Sequence, residues 1–443
     1  METRPLLEQA RLGLLGLKDF ANGLTEPSLR LGVTGLSRAG KTVFITALIR
    51  ALTEGGRLPL FSARAEQRLV SAQLAPGPDP SLPRFAYESH LQAILGPDRA
   101  WPESTSRLSQ IRIRLEIAKR GLLGGPASPS LLYLDIIDYP GEWLLDLPLL
   151  SMNYQEWCES LTKRFQDVPL ANGDAPASDP EAKKASELFR AAGKGLPGRF
   201  LMPGDLEGAG LLTFAPCKAT GPLHSLMAER YQAYVEKLVR PFWRNHLARL
   251  DRQIILTDVL SALNKGPDAL QNLGDELTAL LSAFRQGQNN WASRILGRRI
   301  DRILFAATKA DMLHHNSHDR LEAILAKLMD QSIRKAQIRG TEIGITAISA
   351  LRATREARVR DGADELACII GTPEKGESLA GTQFDGETDA ALFTGDLPID
   401  PAQAFDGSLK GAVSFPRLRP PRDGFGHIRL DKAIEYLLGD RLT

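Results

Sequence analysis

The sequence predicts an α/β fold: a mostly parallel sheet wrapped by helices, with a large helical insertion and a small C-terminal extension. Three observations carry this. Short apolar or alternating runs recur along the chain, separated by longer stretches of helical spacing. Residues 143–250 hold helical spacing almost alone, which marks an insertion into that alternation. After Arg352 the pattern weakens into a stretch, 362–408, rich in Gly, Asp and Thr.

Residues 1–27 are set apart as an N-terminal helix. Within 5–22, Leu6, Leu7, Ala10, Leu14, Leu17 and Phe20 share one broad face, suited either to packing on the core or to touching a membrane or partner. The first part of the core spans 28–142. Leu29, Leu31 and Val33 alternate as a half-buried strand does, Gly35 to Gly40 is a loop, and Lys41 to about Leu52 reads as helix. Residues 74–104, with many Pro, Ser and Gly, read as a long loop-rich connection. Ile111, Ile113, Leu115 and Ile117 alternate with Arg112, Arg114 and Glu116, a strand pattern. Leu131 to Ile137 is nearly all apolar and suits a strand buried on both faces.

In the insertion, 143–250, Met227, Tyr231, Tyr234, Val235, Leu238 and Phe242 fall at helical spacing. Asn172 to Pro180 is a break, and Pro241 predicts a kink. The core resumes over 251–351. Strands are expected at Gln253–Asp258, Arg302–Ala307 and Thr341–Ile348. Between them lie helices marked by Leu270, Leu273, Leu277, Leu280, Leu281 and Phe284, and by Leu321, Ile324, Leu325 and Leu328. In the extension, 352–443, Arg352 to Arg360 reads as a solvated helix face, 362–408 as short strands or a loop, and Leu430 to Leu438 as a closing helix.

Length and composition bound the function. A chain of 443 residues exceeds what one small core needs. Hydrophobic residues at 43% and charged residues at 24% are ordinary for a soluble globular protein. A net charge of +2 gives no support for a nucleic-acid partner. The three cysteines, Cys158, Cys217 and Cys368, form no C-x-x-C pair and argue against a disulfide scaffold or a zinc site. The first residues do not form a signal peptide, and no apolar run is long enough to span a bilayer. The expected location is the cytoplasm, with peripheral contact at the inner membrane as the alternative if residues 5–22 bind lipid.

Gly35-Leu36-Ser37-Arg38-Ala39-Gly40-Lys41-Thr42 matches G-x-x-x-x-G-K-S/T between a strand and a helix. Glycines let the backbone wrap a phosphate with no Cβ in the way, and successive N–H groups turn inward. The helix N-terminus adds its positive dipole end. The phosphates are expected against Gly35, Ser37, Arg38, Ala39, Gly40, Lys41, Thr42 and Val43. Lys41 should reach the β- and γ-phosphates, and the Thr42 hydroxyl should bind Mg²⁺. Asp138-Tyr139-Pro140-Gly141 follows the apolar strand. Asp138 can hold Mg²⁺ through water, and the Gly141 N–H can meet the γ-phosphate, whose loss would release the loop. Asp135, in the same strand, competes for the metal role, but the glycine three residues on favours Asp138. Thr308-Lys309-Ala310-Asp311 follows the strand Arg302–Ala307. A carboxylate at Asp311 can accept from guanine N1 and N2, a donor pair adenine lacks, while the Lys309 stem lies over the base. The backbone of Ser349-Ala350-Leu351, after Ile348, can meet guanine O6. All four pieces stand where open α/β sheets bind ligands, at strand C-terminal ends.

This set resembles the Ras-like GTPase superfamily of P-loop NTPases: the P-loop, the D-x-x-G switch, the N/T-K-x-D base reader and the S-A-K/L base loop. Thr308 stands where Asn is more usual. The stretches from Thr42 to Asp138 and from Asp138 to Asp311 are much longer than in a minimal Ras-like domain. With Asp138-Tyr139-Pro140-Gly141-Glu142-Trp143, they resemble the bacterial YcjX family of stress-associated proteins, which have a Ras-like core and a helical insertion. The resemblance implies a Mg²⁺-dependent GTP/GDP switch that hydrolyses slowly and serves an unidentified protein effector. Thr105, with Ser104 and Ser106 close behind, is the candidate switch threonine and metal ligand. Glu142 stands where a water-orienting Gln is common. Arg38 resembles the P-loop arginine of guanylate-binding proteins and atlastins, which acts as a built-in arginine finger, often in a nucleotide-dependent homodimer. The competing readings are a nucleotide-binding scaffold with negligible turnover, an ATPase, which Asp311 argues against, and a membrane-remodelling GTPase. His314, His315 and His318 read as helix-cap or exposed-loop residues, with no further metal ligand nearby in sequence.

Overall fold

A computed structural model describes residues 27–35, 38–103, 107–118, 129–164, 168–193, 214–218, 220–286, 300–337, 341–361, 364–379, 381–409, 413–422 and 424–443. The helix expected over 5–22 lies outside these residues. The chain forms two compact units, one of Met1–Pro140, Leu250–Leu273 and Ile300–Thr443, the other of Gly141–Arg249 and Gly274–Arg299.

The first unit is built on a seven-stranded sheet of β1 (Ser28–Gly35), β2 (Leu69–Ala75), β3 (Ser109–Ile117), β4 (Ser130–Asp138), β5 (Arg252–Thr257), β6 (Arg302–Ala307) and β7 (Glu342–Ala347), in the order β2-β3-β4-β1-β5-β6-β7. β4, β1, β5, β6 and β7 pair in parallel, and β3 runs antiparallel to both β4 and β2. The sheet is therefore mostly parallel, as expected. Its central strands are apolar runs, buried along nearly their whole length, as strands covered on both faces are. Helix α1 (Lys41–Thr53) buries Phe44, Ile45, Leu48, Ile49 and Leu52 against this core and stops before Gly55, whose φ is +84°. Helix α2 (Val259–Lys265) starts on Asp258, whose carboxylate accepts from the Ser261 N–H, an N-cap. Helix α3 (His318–Gln337) links β6 to β7. A smaller sheet of β8 (Arg355–Asp361), β9 (Asp364–Gly371) and β10 (Ala390–Leu392) is antiparallel throughout. Helix α4 (Leu430–Leu438) returns to the main core through Leu430, Ala433, Ile434, Leu437 and Leu438.

The second unit centres on buried aromatic residues. Trp157 is fully buried and meets Phe189, Phe214 and Tyr231 ring to ring, on the helices Tyr154–Arg164, Asp179–Gly193 and Pro222–Tyr234 and the segment at Phe214.

Two expectations are corrected. The stretch 74–104 is not only loop: it holds the end of β2 and a helix, Tyr87–Leu95, whose buried residues are just Tyr87 and Ile94, too thin a stripe to mark a helix from sequence. Arg352 to Arg360 is not a helix face. From Arg355 on it is strand β8, recruited by pairing with the apolar β9 in the register Ala357↔Cys368. At Pro241, where a kink is expected, the helix is irregular: a wide π-helical turn, Val235–Val239, precedes Arg240–Asn245. The cysteines are all buried and free. Among the described residues no helix is long and apolar enough to cross a membrane.

Candidate functional site

The loop after β1 turns through two left-handed residues, Arg38 at φ +65° and Gly40 at φ +81°. At Gly40 a Cβ would meet nothing within 4 Å, so glycine is needed there for its backbone angle and not for space. At Gly35 a Cβ would come within 3.1 Å of the Leu256 carbonyl oxygen, so close packing on β5 calls for glycine. α1 then opens with Lys41, and the Phe44 N–H donates to the Gly40 carbonyl at 2.9 Å. Ala39 and Thr42 are buried and Arg38 is exposed. This is a turn whose N–H groups and helix end suit an anion.

β4 lies beside β1 with Val33 opposite Asp138, so Asp138 emerges next to this loop. Its carboxylate is 1% exposed and stands 2.7 Å from Lys41 Nζ, with the Ser109 hydroxyl 3.4 Å from its second oxygen. Asp135 is engaged elsewhere. It lies directly across from Arg112 on β3, which holds it through Nε at 2.5 Å and Nη2 at 3.0 Å. The Thr42 hydroxyl, in the first turn of α1, and the Asp138 carboxylate, at the end of β4, are hard oxygen donors, a donor set that fits Mg²⁺. Tyr139 fixes the start of the following loop: its buried hydroxyl donates to Gln253 Oε1 at 2.6 Å, and burial pushes its pKa well up.

At the far end of the same edge, Thr308 follows β6 and donates its N–H to the Thr257 carbonyl at 2.9 Å. Lys309 takes a left-handed conformation, φ +63°, and its ammonium pairs with Asp258, the residue after β5. Asp311 is 5% exposed; burial raises its pKa, and the Ala353 N–H donates to its Oδ2 at 2.8 Å. The Thr354 hydroxyl donates to the Asp311 carbonyl. The loop Ser349–Leu351 is held from below: the Ala310 N–H bonds the Ile348 carbonyl at 3.1 Å and the Ser349 hydroxyl bonds the Leu351 carbonyl at 3.0 Å. From the other side, Ser349 and Ile428 exchange backbone hydrogen bonds and the Arg352 N–H donates to the Gly426 carbonyl at 2.7 Å. β6 is two strands from β1, roughly 10 Å away across the sheet, a separation that suits the base and phosphates of one nucleotide.

Gly35, Arg38, Ala39, Gly40, Lys41, Thr42 and Val43 thus share an edge of the sheet with Asp138, Thr308, Lys309, Asp311, Ser349, Ala350 and Leu351. Ser37 and Thr105, with Ser104 and Ser106, lie outside the described residues. Gly141 and Glu142 open a 3₁₀ segment, Gly141–Ser151, that belongs to the second unit. Sequence reasoning missed Asp258, Ser109 and Ala353. Asp258 alone carried a signal, since it directly follows a strand of the same parallel set.

A family model described as "YcjX-like family, DUF463" matches residues 29–442. A protein from Shewanella oneidensis named "Ras-like GTPase YcjX" is 35% identical over 94% of this chain and 94% of its own. An Escherichia coli protein of the same name is 34% identical over 96% of this chain and 98% of its own. A solved signal recognition particle receptor complex, SRb-GTP/SRX from Chaetomium thermophilum, shares 13% identity over 76% of this chain and 93% of its own at a TM-score of 0.26, too low to bear on the fold.

Proposed function

The chain belongs to the YcjX-like family, and on that footing we propose that it is a Mg²⁺-dependent guanine-nucleotide switch that hydrolyses GTP slowly. The observation that carries the reading is Asp311, a buried carboxylate held in place by the Ala353 N–H on the same sheet edge as the phosphate loop. The relatives' name, Ras-like GTPase, supports it.

Gly35 to Val43 wraps the phosphates. Lys41, now paired with Asp138, moves its charge to the β- and γ-phosphate oxygens. Thr42 and Asp138, with Thr105 from the segment before β3, would hold Mg²⁺, which neutralises charge on those oxygens when bound. Gly141 donates its N–H to the γ-phosphate and Glu142 orients water. Asp311 reads guanine N1 and N2, the stem of Lys309 lies over the base with its ammonium fixed by Asp258, and Ser349, Ala350 and Leu351 present backbone N–H groups to O6. Loss of the γ-phosphate frees the Asp138–Gly141 loop and reports the nucleotide state to a protein effector. The stress-linked role rests on the family resemblance, and the cytoplasmic location on the cysteine usage and the sequence's want of a long apolar run. Equilibrium titration with GDP and with ADP, both with Mg²⁺, tests the reading. GDP is expected to bind tighter by orders of magnitude, and equal affinities would mean that the base end does not select guanine.

Arg38 is assigned the role of arginine finger. It is exposed, and it holds a left-handed backbone conformation that costs a non-glycine residue about 1 kcal/mol, strain of the kind that collects at functional loops. Arg38→Ala is expected to slow single-turnover hydrolysis by about 10³-fold at saturating GTP. An unchanged rate sinks the assignment. The same turnover measured against protein concentration reports whether a second copy is needed.

A further inference from the structure

Beside the base-reading loop stands a cluster that the nucleotide site does not use. His314 and His315 follow Asp311 closely in sequence, and Glu356 comes from β8, 41 residues beyond His315. Glu356 Oε2 lies 2.7 Å from His315 Nδ1 and 3.7 Å from His314 Nε2. One donor atom from each of the three residues lies within 4.8 Å of the others. His314 is not the exposed loop residue its sequence context suggests: it is 7% exposed. Its Nε2 is the nitrogen that faces Glu356, and its Nδ1 is buried with no hydrogen-bond partner among the described residues. His315 is 59% exposed, which leaves a side of the cluster open to water. His318 takes no part: its Nε2 meets the Leu313 carbonyl at 3.2 Å.

We propose that His314, His315 and Glu356 bind one divalent transition-metal ion of the zinc class. Two imidazole nitrogens and one carboxylate oxygen, with a fourth position left for water, are the donor set of open zinc sites. Mg²⁺ prefers oxygen donors alone, so the cluster is chemically distinct from the magnesium site. The second carboxylate oxygen, Oε1, has the Arg352 guanidinium 3.6 Å away, an outer partner that orients the ligand. The cysteine count argued against zinc, but none of these donors is a cysteine.

Such an ion would tie the Leu313–His315 segment to β8. These segments flank the Asp311–Ala353 and Asp311–Thr354 hydrogen bonds, so the ion would stiffen the carboxylate assigned to the base. The binding claim itself does not depend on the guanine reading.

The test uses the full chain, stripped with chelator and free of nucleotide. Co²⁺ is the spectroscopic probe and Zn²⁺ is titrated by calorimetry. Wild type is expected to take up one ion with the intense visible bands of four-coordinate Co²⁺, bleached by Zn²⁺. His315→Ala and Glu356→Gln should each lose those bands and weaken Zn²⁺ binding by about 100-fold or more, since even an outer partner contributes 10- to 100-fold. Both positions tolerate change, the first being exposed and the second isosteric. Absence of the bands in wild type, or wild-type affinity in either variant, overturns the proposal.

Discussion

Asp311→Asn will lower affinity for GDP by about 10⁴-fold and pass preference to xanthosine diphosphate, because a site built around specific hydrogen bonds rejects the mismatched ligand by that order. The direction follows from the Ala353 N–H, which donates to Oδ2 of the carboxylate. In the variant the amide oxygen must take that bond, and its NH₂ turns toward the ligand. It then faces guanine's own donors, whereas xanthine offers a carbonyl at the same place. Burial adds a pH signature. The free carboxyl titrates above its ordinary range, and guanine's two donors favour the ionised form. GDP binding therefore releases a proton, and wild-type affinity falls as pH drops through the raised pKa, while the Asn variant lacks this limb. Titrations of both proteins with GDP, ADP and xanthosine diphosphate across acidic pH check the two statements. Retention of GDP affinity by the variant would remove Asp311 from the base site.

The largest stability effect is expected from Arg112→Ala, at about 3–5 kcal/mol, because it leaves a buried carboxylate without its guanidinium. Asp135 is wholly inaccessible, and both its oxygens are held by Arg112, which also lies over the Tyr133 ring at 4.7 Å. The pair joins β3 to β4, directly behind Asp138. Adding Asp135→Asn to the alanine variant should recover a large part of the loss, since an amide is far cheaper to bury than an unpaired charge. Urea unfolding followed by fluorescence gives the midpoints. A shift worth less than about 1 kcal/mol would mean that the pair is solvated in solution and behaves as a surface ion pair.

The parts of this fold that were legible in the sequence are those that buried apolar area makes periodic. β1, β4 and β6 were plain because they lie inside the sheet, and the apolar stripes of α1 and α4 were plain for the same reason. β2, the helix at Tyr87–Leu95 and β8 escaped because each buries little and takes its form from a neighbour. The candidate site divides the same way. Lys41, Asp138 and Asp311 sit in local motifs and could be named. Asp258 and Ala353 act on Lys309 and Asp311 only through strand order and loop return, which spacing does not encode. The choice between Asp135 and Asp138 needed the third dimension: they lie on opposite faces of β4, one toward Arg112 and the other toward Lys41.

The backbone bonds from Gly426 and Ile428 to the Ser349–Arg352 loop set an order of events during synthesis. A ribosome releases the phosphate loop early and the base reader much later, yet the base loop lacks one of its two supports until residues 426–438 have emerged. The strands that flank the phosphate loop, β4 and β5, are complete by Thr257, well before the loop assigned to the base is held from both sides. On the reading proposed above, a chain stopped short of Gly426 would hold its nucleotide less firmly and would lose part of the protection that a bound ligand gives against unfolding and proteolysis.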